Sequence, residues 1–292
     1  MAEYIISQSY VTDLPASYLE ENGLNSLLFN YSVDGVKYYD DAFQRTTVDE
    51  FYGMIRDGKE PVTSQINAAD YTESFKKILD QGKDIIHVEL SSGISGSFNS
   101  SRLAVEELKE EYPDRKIVTI DSRSASLGYG LLVHYAVKGK KEGKSFEELV
   151  EYLEGLKLKI NHWFILDDLQ HLKRGGRISG ASATIGTMLN IKPMLSMDDE
   201  GKLVSIDKAK GRKKALRTLV EIMEKKVVDP DGQDIFISHS YCKEDADYVA
   251  KMVKEKYPNV NDVFINYIGP VIGSHTGIGT VGLYFLGDNR SL

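Results

Sequence analysis

The chain has 292 residues, of which 41 % are hydrophobic and 27 % charged, with a formal net charge of −8. That composition excludes a disordered chain, and the length predicts two domains at roughly 150 residues each. The acidic balance disfavours nucleic acid as a partner, the one cysteine (Cys242) excludes an internal disulfide and predicts a reducing, cytoplasmic setting, and no stretch approaches the ~18 apolar residues of a membrane span.

The opening, Met1 to Ile6, lacks a basic region followed by a long apolar run, so no secretory leader is expected. Tyr4 to Ile6 reads as a strand, and Ser26 to Tyr31 as another, followed by a turn at Val33 to Val36. Val48 to Arg56 has helical periodicity, and Asn67 or Asp70 caps a helix that stops at Leu79, before Gly82. Asp84 to Leu90 reads as a core strand, Ser91 to Ser97 as its link to a helix over 98–111, and Arg115 to Ile120 as the next strand. Helices follow over 128–142 and 146–156. This alternation predicts a parallel sheet with helices on both faces, a three-layer α/β domain over 1–160.

Hairpin signals mark the second half. Trp163 to Leu166 is a strand, and Met194 to Met197, the turn Asp198-Asp199-Glu200-Gly201 and Leu203 to Ile206 form strand, turn and strand. Strands at Asp234 to His239 and Asn261 to Tyr267 flank a helix over 243–257, and Thr280 to Phe285 is the final strand. A two-layer α/β domain with a mixed sheet is therefore expected over 161–292.

The segment Ser91-Ser92-Gly93-Ile94-Ser95-Gly96-Ser97 leaves a core strand and opens a helix. Ligands bind at the carboxyl ends of strands in open α/β sheets, and a helix start offers unpaired N–H groups to an anion. Its serines add hydroxyl donors, which suits a carboxylate or phosphate. The same segment also reads as a well-capped loop without a ligand. As a serine-hydrolase elbow it fails, because Ser97 stands where G-x-S-x-G requires its second glycine. Gly277-Ile278-Gly279-Thr280-Val281-Gly282 matches G-x-G-x-x-G as text. The residues remaining to Leu292 leave no room for a crossover helix and second strand, so these glycines are read as a tight loop. His275 stands just before them, in a glycine-rich string where an imidazole could bond an anion.

Lys173-Arg174-Gly175-Gly176-Arg177-Ile178-Ser179 is a basic turn suited to an anion or to solvent. Lys208, Lys210, Arg212, Lys213, Lys214 and Arg217 form a second basic cluster at a predicted helix start. It reads as a dock for an acidic partner or a nucleotide, or as a solvated face. There is no G-x-x-x-x-G-K-[ST] loop and no H-E-x-x-H spacing, and one cysteine cannot build a cysteine-rich zinc site. No metal and no cofactor is expected.

The chain resembles the DegV family in Thr63-Ser64-Gln65, Ser92 to Ser97, Asp121 to Gly128, Leu172 to Ile178, Ile191-Lys192-Pro193 and Gly269 to Gly277, whose order and spacing span nearly its whole length. It departs from that pattern at Gln8, where the family carries an acidic residue, and at Ile66 and Ile278, where the family carries prolines. The resemblance implies a non-enzymatic carrier that buries one long-chain fatty acid between two domains, the fatty acid being its sole bound ligand. Thr63 and Ser95 would hold the carboxylate, with His275, Arg177, Ser92 and Gly96 in the head-group region. A separate ATP-dependent fatty acid kinase would phosphorylate the carboxylate to an acyl phosphate for phospholipid synthesis. Arg174 and Arg212 are the candidate docking residues for that kinase. No span of a membrane is implied, although lipid exchange leaves room for a transient membrane contact. A lipid sensor or chaperone without a kinase and, more remotely, an acyl hydrolase using Ser95 and His275 are the competing readings.

Overall fold

The computed structural model describes residues 3–167, 169–178 and 190–290. Four strands, β1 (Tyr4–Ser9), β2 (Asn25–Leu27), β6 (Asp84–Glu89) and β7 (Ile117–Asp121), form a parallel sheet in the order β2-β1-β6-β7. On one face lie α3 (Ala68–Leu79) and α4 (Ser97–Glu111); on the other lie α5 (Ser126–Lys141) and α6 (Phe146–Leu156). The three-layer arrangement expected from the alternating pattern is present.

The second sheet is mixed, in the order β10-β9-β8-β13-β11-β12. Its strands are β8 (Ile160–Ile165), β9 (Ile191–Met197), β10 (Leu203–Lys210), β11 (Asp234–His239), β12 (Asp262–Tyr267) and β13 (Val281–Leu286). Only β11 and β12 run parallel. Helices α8 (Arg212–Lys226) and α9 (Lys243–Lys256) cover one face. Helix α5 meets β8, β11 and β13 as well as β1, and so lies between the two sheets. Its sequence explains this position. Leu127, Tyr129, Leu131, Leu132, Val133 and Ala136 point in all directions and are all buried, which is the pattern of a helix with no solvent face.

The expected strand over 26–31 divides at Leu28. Leu27 ends β2 in the parallel sheet, whereas Phe29 opens β3 (Phe29–Val33) in a small antiparallel sheet with β4 (Val36–Asp40) and β5 (Val62–Ser64). A continuous run of strand-forming residues carries no mark of which partner each half will find. A second difference lies at Pro270–Thr276, which forms a short helix, α10, with Pro270 at its first turn. The glycines after it make the tight loop expected, with Gly277 and Gly279 at φ +70° and +87°. Other elements are α1 (Ala16–Glu21), α2 (Val48–Arg56), begun by a Thr47–Glu50 capping box, and α7 (Gln170–Arg174). No described helix is long and apolar enough to cross a membrane.

Candidate functional site

Strand β6 delivers the serine-rich segment from a fixed point. Glu89 at its end is fully buried, yet its carboxylate accepts from Ser9 Oγ, Tyr71 Oη and the Leu90 N–H at 2.6–3.1 Å, and lies 2.9 Å from His87 Nε2. A buried carboxyl group so fully bonded holds the loop root in place. Beyond it, Ser91 Oγ donates to the Gly201 carbonyl at 2.8 Å, reaching the turn between β9 and β10. Gly93 is required there: a Cβ would stand 2.4 Å from the same Gly201 oxygen. The loop of the first sheet is thus pressed against the hairpin of the second.

A narrow cavity lies between the sheets. Strand parity sorts its wall. His162 and Phe164 on β8 face the cavity, whereas the alternate residues Trp163 and Ile165 pack with Leu216 and Val249 under α8 and α9. Likewise Tyr284 on β13 faces the cavity and its neighbours Leu283 and Phe285 face the helices. Ile268, Val271 and Ile272 add an apolar side from the region of α10, and Phe29 adds one from β3.

Polar groups collect at one part of this wall. Thr63, Ser95, Arg177 and His275 all line the cavity. Thr63 Oγ1 and His275 Nε2 are 2.9 Å apart. Ser95 Oγ donates to Ser97 Oγ at 3.0 Å and accepts from the Ser97 N–H at the start of α4. Arg177 Nε donates to the Ile94 carbonyl at 3.1 Å, and its Nη1 to the Gly175 carbonyl at 2.5 Å, which ties the basic turn to the serine loop. His275 is pushed down to about 4 by burial and by the nearby Arg177 and Arg174 cations and His171, so its imidazole is neutral at neutral pH. Its Nδ1 has no hydrogen-bond partner among the described residues and lies against Gly175. The ring proton is therefore assigned to Nε2, donating to Thr63 Oγ1, which leaves the threonine O–H to turn into the cavity.

Ser92 and Gly96 stand apart from these four. They border a more open groove of polar character, which shares Ile94, Ser95, Arg177 and Leu203 with the cavity. The Ser92 N–H is already given to Asp121 Oδ1 at 3.1 Å, and Gln65 lies over the Gly96 α-carbon. Arg174 and Arg212 are both in ion pairs, Arg174 with Glu60 at 2.7 Å and Arg212 with Asp245 at 2.8 Å and Asp167 at 3.3 Å. Ser179, the end of the basic turn, lies outside the described residues. Sequence reasoning did not single out His162, Tyr284 or Gln65 as cavity residues. His162 is buried and neutral, its Nδ1 3.1 Å from the Ile160 carbonyl, and its ring meets Tyr284 edge to face. Nothing in the sequence distinguishes such residues from ordinary core. Among the described residues no cluster of histidine, cysteine or acidic side chains could hold a metal ion.

The DegV family model, described as an uncharacterised protein of that family, matches residues 5–288. This chain belongs to the DegV family. A DegV domain-containing protein of Clostridium perfringens is 47 % identical over 290 residues, covering 99 % of both chains. Among solved structures, this DegV chain is similar to a DegV family protein from Thermus thermophilus described by its fatty acid binding, at TM-score 0.88 and 29 % identity over 98 % of this chain and 100 % of that one. A stearic acid-binding protein from Eubacterium ventriosum gives TM-score 0.86 at 27 % identity, covering 97 % and 98 % of the two chains. The pairing of a parallel with a mixed sheet is the DegV fold.

Proposed function

We propose that the protein is a carrier that buries one long-chain fatty acid between two domains, divided near residue 160, and presents its carboxylate to a separate ATP-dependent fatty acid kinase in the cytoplasm. The observation that carries this reading is an apolar cavity with hydroxyls, one imidazole and one guanidinium gathered at one part of its wall. An acyl chain of 16 carbons would bury about 15 methyl and methylene groups, roughly 12 kcal/mol gross at ~0.8 kcal/mol each. Burying the carboxylate opposes that gain, and the site offers what is needed against it: Thr63 as a donor, Ser95 as a second once its hydroxyl turns from Ser97 to the ligand, the first turn of α4, and Arg177 as the nearby cation. His275 acts through Thr63 by holding its hydroxyl. Ser92 and Gly96 form the rim of the outer groove, through which the partner reaches the carboxylate, with Arg174 and Arg212 as docking residues.

A hydrolytic reading has less support. His275 bonds Thr63 rather than Ser95, and among the described residues no base is bonded to Ser95. The fatty-acid relatives in other organisms support the ligand class, and the resemblance of the motifs supports the kinase. Native mass spectrometry of the purified protein tests the ligand: a co-purified or added fatty acid bound one to one is expected, and no binding of any long-chain fatty acid would remove the carrier reading. Adding the kinase and ATP then separates a kinase substrate carrier from a lipid sensor, which would bind without being phosphorylated.

A further inference from the structure

His275 is carried by α10, and the other end of that helix is held by two buried acids. The Gly269 N–H donates to Asp13 Oδ1 at 2.9 Å and the Val271 N–H to Asp40 Oδ2 at 3.0 Å. Ser126 Oγ donates to the second oxygen of Asp13. Both carboxyls crowd the Gly269 α-carbon, where a Cβ would stand 2.8 Å from Asp13 Oδ1 and 3.1 Å from the Asp40 oxygens. Asp40 is completely buried, its Oδ1 has no partner, and neither acid has a cationic partner among the described residues.

The topology makes these contacts a closed ring. Asp40 ends β4, which pairs with β3; β3 pairs on its other edge with β5, where Thr63 lies opposite Tyr31. Thr63 meets His275, and His275 lies four residues after Val271, on the same side of α10. A helix of two turns moves as a unit, so a shift at the Val271 N–H is felt at the imidazole. We propose that Asp40 is a positioning residue for the head-group site, and that its carboxyl, acting through α10, sets how His275 meets Thr63.

The surroundings give this link a chemical switch. Burial raises Asp40 to about 7, against the N–H groups of Val271 and Ala42, which favour its ionised form. Burial and Asp40 also raise Asp13 well above the carboxylate range. The other titratable groups facing the pair are acids or phenols: Asp41, Tyr31 and Tyr52, with Tyr10 and Tyr267 bordering the same hollow. Asp41 is paired with Arg45, and Tyr31 and Tyr52 are buried with their hydroxyls raised. The Cys242 thiol beyond Tyr52 is raised too, to about 11. Asp40 thus changes charge near neutrality, beside Asp13, whose carboxyl is raised in the same direction. Ionised, it is the stronger acceptor for the Val271 N–H and the stronger match for the positive end of α10.

The test is the ¹⁵N spectrum of the imidazoles in the ligand-free, full-length protein, with His275 assigned by the signal lost in His275→Asn. Between pH 5 and 9 the wild-type His275 signals should step at about pH 7 while their pattern stays that of a neutral ring. Asp40→Asn keeps an acceptor for Val271 and should remove the step, with the remaining histidine signals showing that the fold is kept. Fluorescent fatty-acid affinity should change several-fold across the same step in wild type and stay flat in Asp40→Asn. A wild-type titration with no step, or a step that survives in Asp40→Asn, overturns the proposal. The ligand part rests on the carrier reading above. If no fatty acid binds at any pH, that reading falls while the imidazole step still decides the role of Asp40.

Discussion

Gly175 lies directly against the ring of His275: a methyl group on its α-carbon would stand 2.2 Å from Nδ1. The two residues are a hundred positions apart, and their contact seats the basic turn after α7 on α10. Gly175 has φ −71°, an ordinary helical value, so its need for a bare α-carbon is purely one of space.

Gly175→Ala should therefore displace the imidazole and weaken its bond to Thr63 without straining the backbone. The expected loss of fatty-acid affinity is about two- to tenfold, the scale of one neutral hydrogen bond. A displacement titration beside a thermal melt checks it. Unchanged affinity would mean that His275 has no part in holding Thr63.

Thr63→Ala and Ser95→Ala should each cost about 1.5–3 kcal/mol of fatty-acid binding, the range for hydrogen bonds to a charged group, with the fold intact. Thr63→Ser, which keeps the hydroxyl, should retain most of the affinity. Displacement of a fluorescent fatty acid reads all three. Wild-type affinity in both alanine variants would place the carboxylate elsewhere.

Asp40 makes stability depend on pH with a definite sign. Its pKa rises from about 4 in the unfolded chain to about 7 on burial. Ionisation therefore favours the unfolded state, and stability falls as pH rises from about 4 to 7, then levels. Three pK units set an upper bound of about 4 kcal/mol on this loss. Asp40→Asn should exceed wild type in urea stability at pH 8 and lose that advantage towards pH 4. A variant less stable than wild type at pH 8 would contradict the assignment.

Ester hydrolysis should be absent. Ser95 donates to Ser97, and no imidazole is bonded to it among the described residues. Purified protein given short acyl esters should show no turnover above background. Turnover that vanishes in Ser95→Ala would restore the hydrolase reading.

Arg174→Glu and Arg212→Glu should slow acyl-phosphate formation by the partner kinase, most at low salt, while fatty-acid binding stays near wild type. Rim charges act mainly on association rate and its salt dependence. Both arginines already hold carboxylates of this chain. Normal phosphorylation of both variants over a range of salt would leave them as internal ion pairs alone.

The sequence by itself determined the alternating half and its parallel sheet, the hairpin half and its mixed sheet, and the serine-rich segment at the end of β6. These rest on periodicity, capping and turn chemistry, which act over a few residues and are written locally. Pro270 was also a local signal, for the start of α10, in a string whose glycines suggested only a loop. The tertiary structure alone decided that Thr63 and His275, 212 positions apart, share a hydrogen bond, that Ser95 lines the cavity while Ser92 and Gly96 border the groove outside, and that the run 26–31 divides between two sheets. It alone separated Phe164 and Tyr284, which face the cavity, from Ile165 and Leu283, which face α8 and α9. An apolar side chain carries the same local signal whether it will touch another side chain or the wall of a cavity, and only the way the two sheets close on α5 and α10 distinguishes them.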